Sequence, residues 1–370
     1  MKKISILLGI LLLGLSATAA VSNPSSEALF KSVWQKYALG EISADSVVSL
    51  ALYHKPARPD VAESCLKLAG ADGNPRAVME LGVLYAFSPE FAKRSTDGVK
   101  LLQAAADAGY KEANEYLGLY YYTHNDNAKA KAYFDAAGTL KHGFSDAALG
   151  GMYMSGKGVR EDVPTAREYF HQGAIKGYPR AMTLYGFNLR ATGGGPVNYP
   201  DAFLWLYIAG DLGEDAARTA LYLPRRDKTE GTTETQKKAK EALAMIEAAQ
   251  SGKRLKNEPV YKDGFLASLK AREQAANKGD DWARYYLGSM NYNGDFLNQN
   301  YAQALRYYQP LSQSAKLPST LLAVVNERLA RMYAEGKGTQ PNRAKAEYYA
   351  RKAAQYGSVS AYKNLEQTRR

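Results

Sequence analysis

Residues 145–181 read SDAALGGMYMSGKGVREDVPTAREYFHQGAIKGYPRA, two segments rich in apolar and small residues joined by a glycine-containing loop. Leu149, Gly150 and Tyr153 share one side of a first helix, where a glycine admits a close partner helix and the larger side chains fill the space around the contact. Gly156 and Gly158 suit a turn with positive φ. Asp162 precedes Val163 and Pro164, so a carboxylate stands where the free amides of a helix start need an acceptor and proline is tolerated. Ala166 and Ala174 keep the second helix slim, and Gly177 supplies a left-handed cap at its end. The stretch is one helix-loop-helix unit.

That unit recurs. Alanine followed eleven residues later by glycine occurs at Ala62/Gly73, Ala132/Gly143, Ala166/Gly177, Ala202/Gly213 and Ala346/Gly357, with small-residue versions at Gly98/Gly109 and Ser268/Gly279. Each of these glycines has alanine four residues on. Leu-Gly pairs stand at Leu81, Leu117, Leu149 and Leu287, with Tyr185-Gly186 and Leu329-Ala330 as variants, and tyrosine follows three after the small residue at Tyr85, Tyr121, Tyr153 and Tyr333. The period is about 34 to 36 residues, that of helix-pair repeats, which bury their apolar faces by stacking on neighbours.

The pattern A-x-x-x-LG-x-x-Y-x-x-G-x-GV-x-x-D-x-x-x-A resembles the Sel-one-like repeat (SLR), a relative of the tetratricopeptide repeat. The match is fullest over Leu149–Gly177 and Leu329–Gly357 and good over Leu81–Gly109; the loops at Thr123–Asn127, Ala191–Tyr199 and Gly294–Asn300 depart from it. The resemblance implies an all-α, right-handed α/α solenoid that binds proteins or peptides. It brings no catalytic residue with it. Some exported, cysteine-rich members are credited with weak β-lactam hydrolysis, but this chain has a single cysteine, Cys65, so the disulfide-stapled subtype does not fit and the thiol reads as a core residue.

Lys2 and Lys3, the apolar run Ile4–Leu15 and the small residues Ser16–Ala20 form a secretory signal, with cleavage expected near Ala20. A capped amphipathic helix from Ser25 to Tyr37, with Leu29, Val33 and Trp34 on one face, would close the stack within residues 21–44. The repeats divide into a first array over 45–252, ending in a helix started by a Thr233/Gln236 capping box, a polar linker over 253–260, and a second array over 261–370. The net charge of +11, or +9 without Lys2 and Lys3, favours acidic or envelope-associated partners; an exported chain does not meet nucleic acid. No segment after the leader is apolar enough to span a bilayer.

No catalytic or metal motif stands out. Gly151–Lys157 has phosphate-loop spacing, but Gly158 replaces the hydroxyl residue and a helix precedes it. His54, His124, His142 and His171 lie at no metal spacing. No cofactor is expected. Binding residues are sought on the first-helix stripe three before, one after and four after the glycine, which lines the concave groove in tetratricopeptide-type stacks. That stripe holds Glu115, Leu119 and Tyr122; Thr183, Phe187 and Arg190; Tyr285, Ser289 and Tyr292; Glu327 and Arg331. Glu115, Tyr122, Phe187, Arg190, Tyr285, Tyr292 and Arg331 are the expected contacts, since exposed aromatics and arginine supply most interface hot spots. The expected function is a periplasmic or secreted, non-enzymatic scaffold for a protein or peptide. A cell-wall enzyme such as a weak β-lactamase and a secreted host-interacting protein are the alternatives.

Overall fold

The computed structural model describes residues 25–221, 261–295, 297–358 and 360–361. The signal sequence, the helix begun by Thr233/Gln236, the 253–260 linker and the last residues of the C-terminal helix lie outside these. Every regular element among the described residues is helical.

The chain forms two compact units. In the first, up to Ala113, are α1 (Ser26–Ala38), α2 (Ala44–His54), α3 (Pro59–Ala71), α4 (Pro75–Phe87) and α5 (Ser95–Asp107), with a 3-10 segment over Pro89–Arg94. Ser25 caps α1 by accepting from the Ala28 amide, and Val33 inserts into a core of Val47, Val48, Leu66, Leu84 and Tyr85. Cys65 lies fully inside that core, and burial pushes its thiol up to about 11. The phenol of Tyr85 donates to Glu63 at 2.6 Å while Arg94 lies over its ring.

The second unit runs from Asn114. It holds α6 (Glu112–Thr123, beginning at the boundary), α7 (Asn127–Ala137), α8 (Phe144–Ser155), α9 (Val163–Ile175), α10 (Pro179–Leu189), α11 (Tyr199–Asp211) and α12 (Asp215–Ala220). After residues 222–260 come α13 (Tyr261–Asn277), α14 (Asp281–Asn293), α15 (Tyr301–Tyr308), α16 (Ser319–Glu335) and α17 (Arg343–Gln355). One hydrophobic core extends from Ala174 to Met332, and α13 packs on α11, so the helices on either side of 222–260 share that core.

A recurring register builds four of the pairs. Counting from the helix glycine, the residue twenty on is the large side chain that fills the glycine's notch: Leu102 for Gly82, Phe170 for Gly150, Leu206 for Gly186 and Tyr308 for Gly288. A Cβ on Gly150 would lie 2.5 Å from the Phe170 ring, closer than packed atoms approach. Twelve residues on from the glycine stands the helix cap, Asp162, Asn198 or Asn300, whose side chain accepts from the amide three residues later. The cap amide in turn donates to the carbonyl three after the glycine, as in Asp162 to Tyr153 at 2.9 Å. The α6–α7 pair keeps the scheme with four residues fewer: Asp126 caps and Phe134 fills the notch of Gly118. Its loop has no glycine pair, and Asn125 takes the left-handed conformation instead, at φ 61°.

Tyrosines lock the pairs at their loop ends. Tyr121 stacks on Tyr133, Tyr153 on Tyr169 and Tyr333 on Tyr349, with ring centroids 5.4–5.6 Å apart and planes nearly parallel.

Candidate functional site

The stripe expected to face a ligand splits by position. Three before the glycine, side chains meet the next repeat. Glu115 is 7% exposed and accepts from the amide and hydroxyl of Ser145, 3.3 and 2.8 Å away, while His142 Nε2 approaches its other oxygen at 3.3 Å. Glu327 likewise receives the hydroxyls of Ser358 and Ser360. Thr183 is buried, and Tyr285 is wholly inaccessible. The expectation of Glu115 and Tyr285 as open contacts is therefore corrected: the next first helix begins against Glu115, and Tyr285 is buried with its phenol donating to Asp211.

One and four after the glycine, the side chains of α6 and α8 face outward into a cleft of about 390 Å³. Leu119 and Tyr122 come from α6, Gly151 and Met154 from α8. Phe134 and Phe170, the notch-filling residues, form its back, and Phe144 and Tyr178 close one end with Arg180 beside them. Phe144 meets Tyr178 edge to face at 5.8 Å, and burial, ahead of the neighbouring charges, raises the Tyr178 phenol above its usual range. A side chain on Gly151 would meet nothing within 4 Å, so the glycine leaves the cleft open above α8. Lys157 holds its ammonium 5.2 Å above the Tyr122 ring.

Sequence reasoning missed Phe144, Tyr178 and Arg180. A signal was present: the residue after the helix-ending glycine is aromatic at Tyr110, Phe144 and Tyr178. Phe187 on α10 and Arg190 directly after it are exposed outside this cleft, Phe187 at 39%. Arg331 is exposed on α16.

A family model described as the Sel1 repeat matches residues 75–110, 145–178, 179–214, 283–313 and 325–358. These five segments are Sel1 repeats. Among solved structures, the chain is similar to c5321, a protective antigen present in uropathogenic Escherichia coli strains displaying an SLR fold. The identity is 20%, with 93% of this chain and 75% of that one covered and a TM-score of 0.42. It is also similar to a Sel1 repeat protein from Oxalobacter formigenes at 20% identity, covering 97% and 99% of the two chains with a TM-score of 0.35. No curated protein matches the chain.

Three of these Sel1 repeats meet at a buried charge cluster. Arg328 of α16 grips Asp211, the last residue of α11, through its two terminal guanidinium nitrogens, each at 2.9 Å. Tyr285 and Ser289 also donate to Asp211, each at 2.8 Å, Asn293 does so at 3.0 Å, and Tyr308 and Ser289 crowd the same guanidinium. Tyr292, expected as a ligand contact, instead lies half-buried with Arg328 5.1 Å from its ring centre. Burial pushes the Tyr285 phenol far above its usual range and Tyr308 up to about 12. For Arg328 burial works against the charge, but Asp211 outweighs it and holds the guanidinium protonated. With every partner supplied from within the fold, this cluster reads as a structural joint.

Among the described residues no group of three or more histidine, cysteine, aspartate or glutamate side chains could hold a metal ion. No described helix is long and apolar enough to cross a membrane.

Proposed function

We propose that this Sel1-repeat chain is an exported, non-enzymatic scaffold that holds a protein or peptide, and that the cleft over α6 and α8 is where the partner docks. The observation that carries the reading is an aromatic-walled concavity with a vacant glycine at its edge, formed by the stripe positions that stacking leaves uncovered. Recognition sites of this kind combine apolar walls with a few polar groups at the rim. Phe187, Arg190 and Arg331 are exposed on the same kind of first-helix position and would extend the contact along neighbouring repeats. Export rests on the basic, apolar and small-residue order of residues 1–20.

A photo-crosslinking residue in place of Gly151, compared with one in place of exposed Tyr53 of the first unit, tests the docking assignment in envelope preparations. Adducts specific to position 151 are expected; equal labelling from both positions would refute it. Intact mass of the periplasmic protein should show loss of the first 19 or 20 residues, matching the Ser16–Ala20 cleavage segment. Turnover of a chromogenic β-lactam by the purified mature chain would overturn the non-enzymatic reading.

A further inference from the structure

Building on the proposed peptide-binding role, we infer that the cleft over α6 and α8 recognises an acidic peptide, seating one bulky apolar side chain between Phe134, Phe170 and Tyr178 and pairing an adjacent carboxylate with Arg180. The size of the space argues for a single anchor. About 390 Å³ lies at the low end of the roughly 300–1,000 Å³ typical of ligand pockets, room for one or two side chains and too little for a folded surface. The shape argues for the anchor's chemistry. Aromatic rings make its back and end, and Gly151 leaves the approach over α8 open.

The charges argue for the flanking residue. Arg180 is exposed beside Tyr178, and among the described residues no carboxylate lies within ion-pair distance of it. Lys157 is exposed at the Tyr122 side and likewise has no described carboxylate partner, only the ring beneath it. Of the two acids whose charge reaches Tyr178, Glu214 is not among the residues that line the cleft, and Glu115 is already taken by Ser145 and His142. A ligand in the cleft thus meets Arg180 in its lining and Lys157 over the Tyr122 ring, two cations without a described ion-pair partner, in a chain whose net charge is +11. An arginine set beside aromatic walls pairs a carboxylate with two parallel hydrogen bonds, so the cleft selects an acid next to the anchor and disfavours a lysine there.

The test is selection of a random-peptide phage library on the mature full-length chain, followed by fluorescence anisotropy of the enriched peptides. Three variants report: Gly151→Trp to plug the cleft, Arg180→Glu to reverse the rim charge on an exposed side chain, and Lys100→Glu in the first unit as a charge-matched control. Enriched peptides are expected to carry tryptophan, phenylalanine, leucine or methionine next to aspartate or glutamate. Their binding should vanish in Gly151→Trp, weaken at least roughly tenfold in Arg180→Glu and hold in Lys100→Glu. Peptides lost in Gly151→Trp but indifferent to Arg180→Glu would overturn the acidic selectivity. Peptides that survive both substitutions would move the site elsewhere while leaving the peptide-binding role intact. If no peptide is enriched, that role falls and the inference with it. Arg180→Glu decides the matter even where the plugged variant misfolds.

Discussion

Arg328 is the charge the second core can least do without. Its guanidinium and the Asp211 carboxylate have left water together, and the return on that desolvation is a two-pronged ion pair ringed by Tyr285, Ser289 and Tyr308. Arg328→Met is expected to lower stability by about 3–5 kcal/mol, because the carboxylate stays buried without its cation. Asp211→Leu in the same chain should recover part of the loss; urea denaturation of the two variants and the double mutant measures both, and purely additive losses would contradict the coupling. The tyrosines around the pair set an alkaline limit. Burial raises the folded-state value of Tyr308 to about 12 and lifts that of Tyr285 well above the usual tyrosine range, so the folded state holds these protons more tightly than the unfolded chain. Their contribution is intact below the unfolded tyrosine value of about 10 and drains away as pH climbs through 12. A urea midpoint that stays level across that interval would refute this. None of it was readable beforehand, since 117 residues separate Asp211 from Arg328. The stripe rule that placed Tyr285 in a groove assumes an open first-helix face, and in α14 that face is covered by α11 and α16.

At the scale of the helix pair, most of the structure was legible. Gly150, Tyr153, Asp162 and Gly177 do what their chemistry implied: a close contact, a stacked ring, a cap and a left-handed turn at φ 91°. The intervals of twelve and twenty residues from glycine to cap and to notch-filler are written in the sequence as well. Where alanine replaces the glycine, at Ala330, the residue twenty on is Ala350, a small side chain where the glycine pairs place a large one. Two adjacent glycines separate steric need from open space. Gly150→Ala drives a methyl into Phe170 and is expected to destabilise by about 1–3 kcal/mol, with Phe170→Leu softening the effect. Gly151→Ala meets nothing and removes a flexible helix residue, so it should stabilise by about 0.5–1 kcal/mol. Thermal or urea unfolding of the variants checks the opposite signs; equal effects would mean that helix propensity, and not the notch, governs this position. The cleft was only half legible, because its stripe residues follow from periodicity while Arg180 lies one helix on and reaches it through the fold.

For the whole chain, the repeat was evident, while the expected linker lies outside the described residues. Composition marks a change near 253–260, Ala174 to Met332 form one core, and the boundary between the compact units falls at Ala113 and Asn114, in the stretch 111–144 that the repeat model leaves unmatched. Linkers announce themselves by polar residues, whereas the density of packing between successive helices depends on side chains that recur too regularly to flag a seam. In stacked repeats stability is close to a sum of unit and neighbour terms, so damage should spread only as far as the packing does. Gly150→Leu, a larger insult at the Phe170 notch than alanine, is expected to remove hydrogen-exchange protection from α8 and α9 and loosen α7 and α10. The core around Val47, Leu66 and Tyr85 belongs to the other unit and should keep its protection. Exchange measured by mass spectrometry on the full mature chain distinguishes the outcomes. Parallel loss in α2 to α4 would make the two units one cooperative body, and undiminished protection in α8 would mean that the glycine notch is not what holds the pair together.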